Sequence, residues 1–214
     1  MPSSRTYMTT PTHSPQSHPL IDRAQVGARL RANRKRQRLT LKQLSERSGV
    51  ALSTLSKMEL GQISVSYEKL AAAARALRID MSILFTPDAP TDTAAQPTVV
   101  GTSIIEAPGY GTGGYEYHLL AGEFPGRNMT PLYAKIIARD LSEFDDYVRH
   151  PGQEFTFVLS GRVRIHFENG EQISLKERET AYFNSEIGHI YLTEGDDDAE
   201  VIAVMSEQHQ PEAG

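Results

Sequence analysis

Proline sets the first constraint on this 214-residue chain: none occurs between residues 20 and 86, and three fall within residues 87–97. A proline inside a helix removes a backbone donor and clashes with the preceding turn, so a stretch free of it can run helix after helix. Leu20–Phe85 has helical spacing with short breaks. It begins with Asp22 as the cap of a helix carrying Val26 and Leu30 four residues apart. Residues 87–99, crowded with proline and small polar residues, read as a linker. Beyond Val99 the texture changes. Gly109, Gly111, Gly113 and Gly114 punctuate the chain ahead of short alternating or β-branched segments. These include Leu132–Ala138, Glu154–Leu159, Val163–Phe167, Thr180–Phe183 and Glu200–Met205, the pattern of an all-β barrel or sandwich over residues 100–207. Twelve of residues 1–19 are Ser, Thr or Pro, which build no core, so a disordered tail is expected there. Residues 208–214 read as a frayed end.

Charge divides along the same boundary. The whole chain carries a formal charge of −5, yet residues 20–86 hold 13 Lys and Arg against 5 Asp and Glu, a net of +8. Residues 87–214 hold 8 against 22, a net of −14. Such asymmetry points to two domains with different partners, one of them anionic. The chain has no cysteine, which excludes disulfides, a thiol nucleophile and a thiolate-built zinc site. No run approaches the roughly 18 apolar residues of a membrane span, and no secretory signal is visible, so a cytoplasmic protein is expected.

The most informative stretch of the basic half is Thr40–Gly61. Thr40 is placed to cap a helix with Gln43 as its capping-box partner. Gly49 closes that helix with the positive φ a tight turn needs. A second short helix follows, with Leu55 and Met58 facing inward, Ser53, Thr54, Ser56 and Lys57 facing outward, and Gly61 at its end. Two short helices around a glycine turn form a helix-turn-helix, whose second helix fits a major groove. The preceding helix carries Arg29, Arg31, Arg34, Lys35, Arg36 and Arg38 without an acid, which suits phosphate contact. A generic helical hairpin with a solvated face is the plainer alternative for the same pattern.

Residues 24–85 resemble the helix-turn-helix domain of the XRE (lambda-repressor-like) transcription regulators. The likeness runs through Arg29-Leu30-Arg31, Arg34, Leu39-Thr40, Leu44, Gly49-Val50, Ser53, Leu55-Ser56, Glu59, Gly61, Leu70, Ala74 and Leu77. It implies a bundle of about five helices and a structural ion pair between Arg34 and Glu59. It also implies DNA contact by Leu41, Lys42 and Gln43 near the backbone and by Leu52, Ser53, Thr54, Ser56 and Lys57 along the reading helix. Leu52 can touch a thymine methyl but cannot hydrogen-bond, so shape readout is expected to carry part of the specificity.

In the acidic half, His150–Phe167 places a His, three residues, a Glu, six residues and a Gly among β-branched and aromatic residues. This resembles the first cupin motif, and residues 175–192 resemble the second, with His189 at its histidine. The resemblance implies a cupin (double-stranded β-helix) barrel, so the whole chain is expected to be a multidomain α + β protein. Cupins often hold a metal with three His and one Glu. Here the corresponding positions are Val148, His150, Glu154 and His189. Two His and one carboxylate can still bind a divalent metal facially. The second motif departs again at Arg178-Glu179, where the family has Gly-Asp. The expectation is a ligand pocket around His150, Glu154 and His189 with no obligatory metal or other cofactor. Arg162, Arg164 and His166 alternate on one strand face, lining the interior or facing solvent. Tyr117, Tyr133, Tyr147, Tyr182 and Tyr191 can be core, rim or dimer interface, and Glu194–Asp198 reads as an exposed turn.

Together these readings predict a non-enzymatic, sequence-specific DNA-binding regulator, with repression the favoured mode. Its cupin would sense a small-molecule effector and form a homodimer on operator DNA. A metal-dependent cupin enzyme carrying a DNA-binding head is the alternative.

Overall fold

The computed structural model describes residues 20–85, 97–124 and 126–206. The expected tails and most of the expected linker lie outside the described residues.

Among the described residues, five helices form the N-terminal part: α1 (Arg23–Arg36), α2 (Leu41–Ser48), α3 (Leu52–Glu59), α4 (Tyr67–Ala76) and α5 (Ser82–Phe85). Their ends follow local chemistry. The Asp22 carboxylate accepts the Ala24 N–H at the start of α1. Thr40 and Gln43 complete a reciprocal capping box at α2, satisfying two donors that a helix start leaves open. Gly49 then adopts φ +72, a conformation that a side chain disfavours and glycine accepts freely. The third helix stops at Glu59, two residues before Gly61. Val26, Leu30, Leu44, Leu55, Leu70, Leu77 and Leu84 are almost fully buried and fill the bundle.

A buried ion pair stitches this bundle. Arg34 Nε and Nη2 donate to Glu59 Oε1 and Oε2 at 2.6 Å each, while Nη1 donates to the Leu39 carbonyl at 2.7 Å. The bidentate geometry satisfies both charges and ties α1 to α3.

Among the described residues, nine strands follow in two sheets. One has the order β1-β2-β3-β9-β4-β7, built from β1 (Gly109–Gly111), β2 (Tyr115–Leu119), β3 (Met129–Ile136), β4 (Gln153–Ser160), β7 (Thr180–Asn184) and β9 (Ala199–Ser206). The other has the order β6-β5-β8, built from β5 (Arg162–Phe167), β6 (Gln172–Lys176) and β8 (His189–Thr193). All pairings are antiparallel. Ala134, Val158 and Val201 of the first sheet pack with Val163, Ile165 and Leu192 of the second in one core. The chain is therefore a helix-turn-helix bundle followed by a two-sheet cupin domain. Gly161, the motif glycine between β4 and β5, has φ +75, and a Cβ there would lie 2.9 Å from Ala199 Cα.

Four strands, β1, β2, β6 and β8, lie outside the segments expected from the sequence. The first of them contains Gly109 and Gly111, residues that read as turn punctuation until strand pairing is seen. Arg162, Arg164 and His166 point away from the buried Val163, Ile165 and Phe167, and Arg164 pairs with Glu194. Their face is the solvated one. Arg178, at the position where the cupin motif carries glycine, sits at φ +68.

The two parts are joined by packing as well as by chain. Tyr110, Leu119, Leu132 and Met205 of the β domain belong to the same buried cluster as the helical core. The Val65 N–H donates to the Tyr110 hydroxyl at 2.9 Å, Tyr67 stacks obliquely on Tyr117 at 5.8 Å between centroids, and Arg127 bridges to Asp80 at 2.8 Å.

Two stability predictions follow from this architecture. Arg34→Ala leaves a buried Glu59 carboxylate unpaired and should destabilise the chain by about 3–5 kcal/mol, seen as a large fall in Tm. Arg178→Gly relieves a left-handed conformation that disfavours a side chain by about 1 kcal/mol and should raise Tm slightly.

Candidate functional site

The helix-turn-helix presents a mixed polar and basic surface. On α3, Leu55, Met58 and Glu59 are buried, while Leu52, Ser53 and Lys57 are exposed and Thr54 and Ser56 are half-buried. Residues three and four apart share a helix face, so Ser53, Ser56 and Lys57 lie together. On α2, Lys42 and Gln43 are exposed and Leu41 is half-buried. The Gln43 side-chain oxygen already accepts the Thr40 N–H.

The arginine run of α1 divides by function. Arg29 Nη1 donates to the Leu84 carbonyl at 3.0 Å, Arg34 is the buried partner of Glu59, and Arg36 donates to the Asn33 side chain. Arg31, Lys35 and Arg38 remain exposed. The run is thus partly structural, at Arg29 as well as at the expected Arg34, because helical periodicity turns some of its members inward.

Inside the cupin domain, Glu154 of β4, His189 of β8 and His150 just before β4, all three predicted from the sequence, come together. The ligand-capable atoms of His150, Glu154 and His189 lie within 4.8 Å of one another, and all three residues are buried. His150 Nε2 is 2.9 Å from Glu154 Oε2, and His189 Nε2 is 3.5 Å from the same oxygen. His189 Nδ1 lies 2.9 Å from the Ile187 carbonyl. The carbonyl can only accept, so Nδ1 carries the proton and Nε2 faces the carboxylate. The Tyr191 hydroxyl donates to Glu154 Oε1 at 2.6 Å.

Burial by itself would push the Glu154 carboxyl up, but the hydrogen bond from His150 and the facing His189 outweigh it and hold the group at about 2. Burial would likewise lower His189, and Glu154 overcomes it and raises the imidazole. Desolvation raises the Tyr191 phenol well above its ordinary range, with the Glu154 charge adding to it.

Val148 occupies the position of the absent histidine. It exchanges both backbone hydrogen bonds with His189 and lines the same interior as Glu154 and His189. The remaining donors, two imidazole nitrogens and a carboxylate within one small radius, fit a facially bound divalent metal. A metal there would supply Lewis acidity and open coordination positions, with His150, Glu154 and His189 as its protein ligands. Without it the three side chains satisfy one another.

No residue pattern points to Tyr115 or to Glu68. The Tyr115 hydroxyl donates to the Tyr191 carbonyl and accepts its N–H, fixing the strand that carries His189. Glu68 comes from α4 of the helical bundle and reaches the cupin interior beside Tyr115, Tyr117, Glu154 and His189. Its Oε2 is buried without a hydrogen-bond partner. Only tertiary packing brings it there. The interior it covers is small, about 40 Å³, which is space for about one water. A larger cavity of about 320 Å³ opens between α4 and the cupin domain, with His150 in its wall.

Comparison with known proteins agrees with this layout. Residues 25–81 match the helix-turn-helix domain family, and residues 143–205 match the cupin domain family. An HTH_3 family transcriptional regulator from Vibrio cholerae has the same fold at 17% identity, with a TM-score of 0.54 over 88% of this chain and 98% of that one. Hydroxypropylphosphonic acid epoxidase from S. wedmorenis is similar at 21% identity, with a TM-score of 0.45 over 86% of this chain and 98% of that one. No curated relative matches the chain.

The acid response tests the cluster. A carboxyl lowered by folding contributes stability above its ordinary value, and that contribution is lost as pH falls through the folded value. The Glu154 contribution should therefore be complete above about 4.5 and vanish toward about 2. Glu154→Gln should flatten the dependence of Tm on pH across that window, read by thermal melts in acid buffers.

Proposed function

We propose, from the premise that this chain belongs to the XRE-like helix-turn-helix proteins carrying a cupin domain, that it is a sequence-specific transcription regulator. In this reading the cupin senses a small metabolite. The observation that supports it most is the surface of α3. Leu55 and Met58 are buried in the bundle, Ser53 and Lys57 are exposed, Thr54 and Ser56 are half-buried, and Leu52 stands exposed at the start of the helix. That arrangement suits a helix lying in a major groove, with Lys57 the residue best equipped to reach a guanine or a phosphate. Lys42 and Gln43 would approach the backbone, and Leu52 a thymine methyl. Exposed Arg31, Lys35 and Arg38 add positive potential, while the acidic cupin domain disfavours indiscriminate contact with DNA.

A single small head reads only one half-site. Pairing two heads across a cupin dimer would raise affinity without new contacts, so a homodimer on operator DNA in the cytoplasm is the expected state. Repression is the expected mode. No step of this function uses a metal.

The second reading is a metal-dependent cupin enzyme with a DNA-binding head, and the close grouping of His150, Glu154 and His189 favours it. Elemental analysis of the purified chain separates the two: stoichiometric iron or manganese together with turnover would establish the enzyme.

The regulator reading is tested on operator fragments selected from random DNA. Lys57→Ala should weaken operator binding by about tenfold, the effect of one good base or phosphate contact, and leave Tm unchanged. Equal displacement by any competitor DNA would remove sequence specificity from the account.

A further inference from the structure

The cavity between α4 and the cupin domain is lined by groups that belong to neither domain's own chemistry. Arg127, just before β3, has a side chain only 10% exposed. Its Nη2 donates to Asp80 Oδ1 at 2.8 Å, but Nε and Nη1 are buried with no hydrogen-bond partner. Across the same cavity stands Glu68, with its Oε2 also buried and unpartnered. Buried polar groups without partners are uncommon and call for an explanation. An unpaired N–H on a buried guanidinium is costly unless something accepts from it. Here two donors and one acceptor lie without partners just beneath the wall of a single cavity, on side chains that line it.

The size and charge of this space match a small molecule. About 320 Å³ lies at the lower end of ordinary metabolite sites, whereas the cupin interior is too small for one. Arg75 and Asp80 also line it, so with Glu68 and Arg127 the wall carries two charges of each sign. A ligand bearing only negative or only positive charge would satisfy one orphan and repel the other. A ligand with both would satisfy both.

We infer that this interdomain cavity is the effector site, and that it takes a small zwitterion carrying a carboxylate and a protonated amine, as an amino acid does. The carboxylate accepts from Arg127 Nε and Nη1, and the ammonium donates to Glu68 Oε2. This inference rests on the ligand-sensing reading above and deepens it. Glu68 and Arg75 ride on the DNA-binding bundle, and Arg127 belongs to the sensor. Occupancy therefore bears directly on how the head sits against the cupin domain, which is the differential contact a ligand needs to shift a conformational equilibrium.

The test is calorimetric and thermal-shift titration of the full chain with the proteinogenic amino acids, with succinate and putrescine as single-sign controls. At least one amino acid should bind and raise Tm, and neither control should. Arg127→Met and Glu68→Gln should each weaken that binding by about tenfold or more, as loss of a charge-assisted hydrogen bond does, while circular dichroism stays native. If Arg127→Met fails to fold, Arg127→Lys replaces it, since a lysine keeps the charge opposite Asp80 but not the guanidinium donors. Absence of binding by every amino acid, or preferential binding of succinate or putrescine, overturns the inference. So does an amino acid whose binding ignores Arg127 and Glu68 but is lost in Glu154→Gln. That last result would place the ligand in the cupin interior and leave the sensing reading intact. Operator binding unaltered by a whole metabolite extract would end the sensing reading itself.

Discussion

The hydroxyl of Tyr110, accepting the Val65 N–H at 2.9 Å, sits where the helical bundle meets the β domain. Around it the buried cluster of the bundle continues without a break into Leu119, Leu132 and Met205. The Ile21 N–H also donates to the Gly109 carbonyl at 2.8 Å, so the entry to α1 is held by the edge strand β1. Apolar burial is non-directional. A shared core by itself would let the head slide, and a hydrogen bond at its centre gives the docking one register. The position of α4 over the cupin domain, and with it Glu68 over the interior, depends on that register.

The cupin interior is organised around one carboxylate. Glu154 accepts from Tyr191, faces His150 and His189, and is almost fully buried. Replacing such a group with an apolar residue is often neutral or stabilising, whereas removing one partner is costly. Stability alone does not account for a cluster of this kind, and the chemistry it retains suits either a metal or a polar contact with a ligand. The interior has room for little else, which moves a metabolite-sized site outward. The cavity between the domains, which His150 borders and which Arg127 and Glu68 line, has that size.

Local chemistry was legible from the residues alone. The Thr40–Gln43 capping box, the Asp22 cap, the glycine turn at Gly49 and the inward Leu55 and Met58 are decided by neighbours within four residues, and all form as read. Glu154 on β4 and His150 just before that strand are likewise brought together, across the bend at Pro151 and Gly152. Legibility faded where partners are distant in sequence. In the basic run of α1 the resemblance singles out Arg34 as the partner of Glu59, but nothing local marks Arg29 as bonded to the distant Leu84 carbonyl. The glycines before β2 read as punctuation, yet Gly109 and Gly111 lie in a strand. The fate of Arg162, Arg164 and His166 was open until the buried Val163 and Ile165 fixed which face of β5 is inside.

The sequence by itself determined two segments of opposite charge, the helix-turn-helix, and the His150, Glu154 and His189 set with Val148 beside it. Those features rest on short-range spacing, composition and motif order, which one chain displays in full. Only the tertiary structure decided that the head packs on the cupin domain, that Glu68 and Arg127 are left with open hydrogen-bonding atoms, and that the larger cavity lies between the domains. These depend on which surfaces exclude water from each other across long sequence separations. No local pattern records such a choice, because Glu68 on an isolated α4 is indistinguishable from any solvated glutamate.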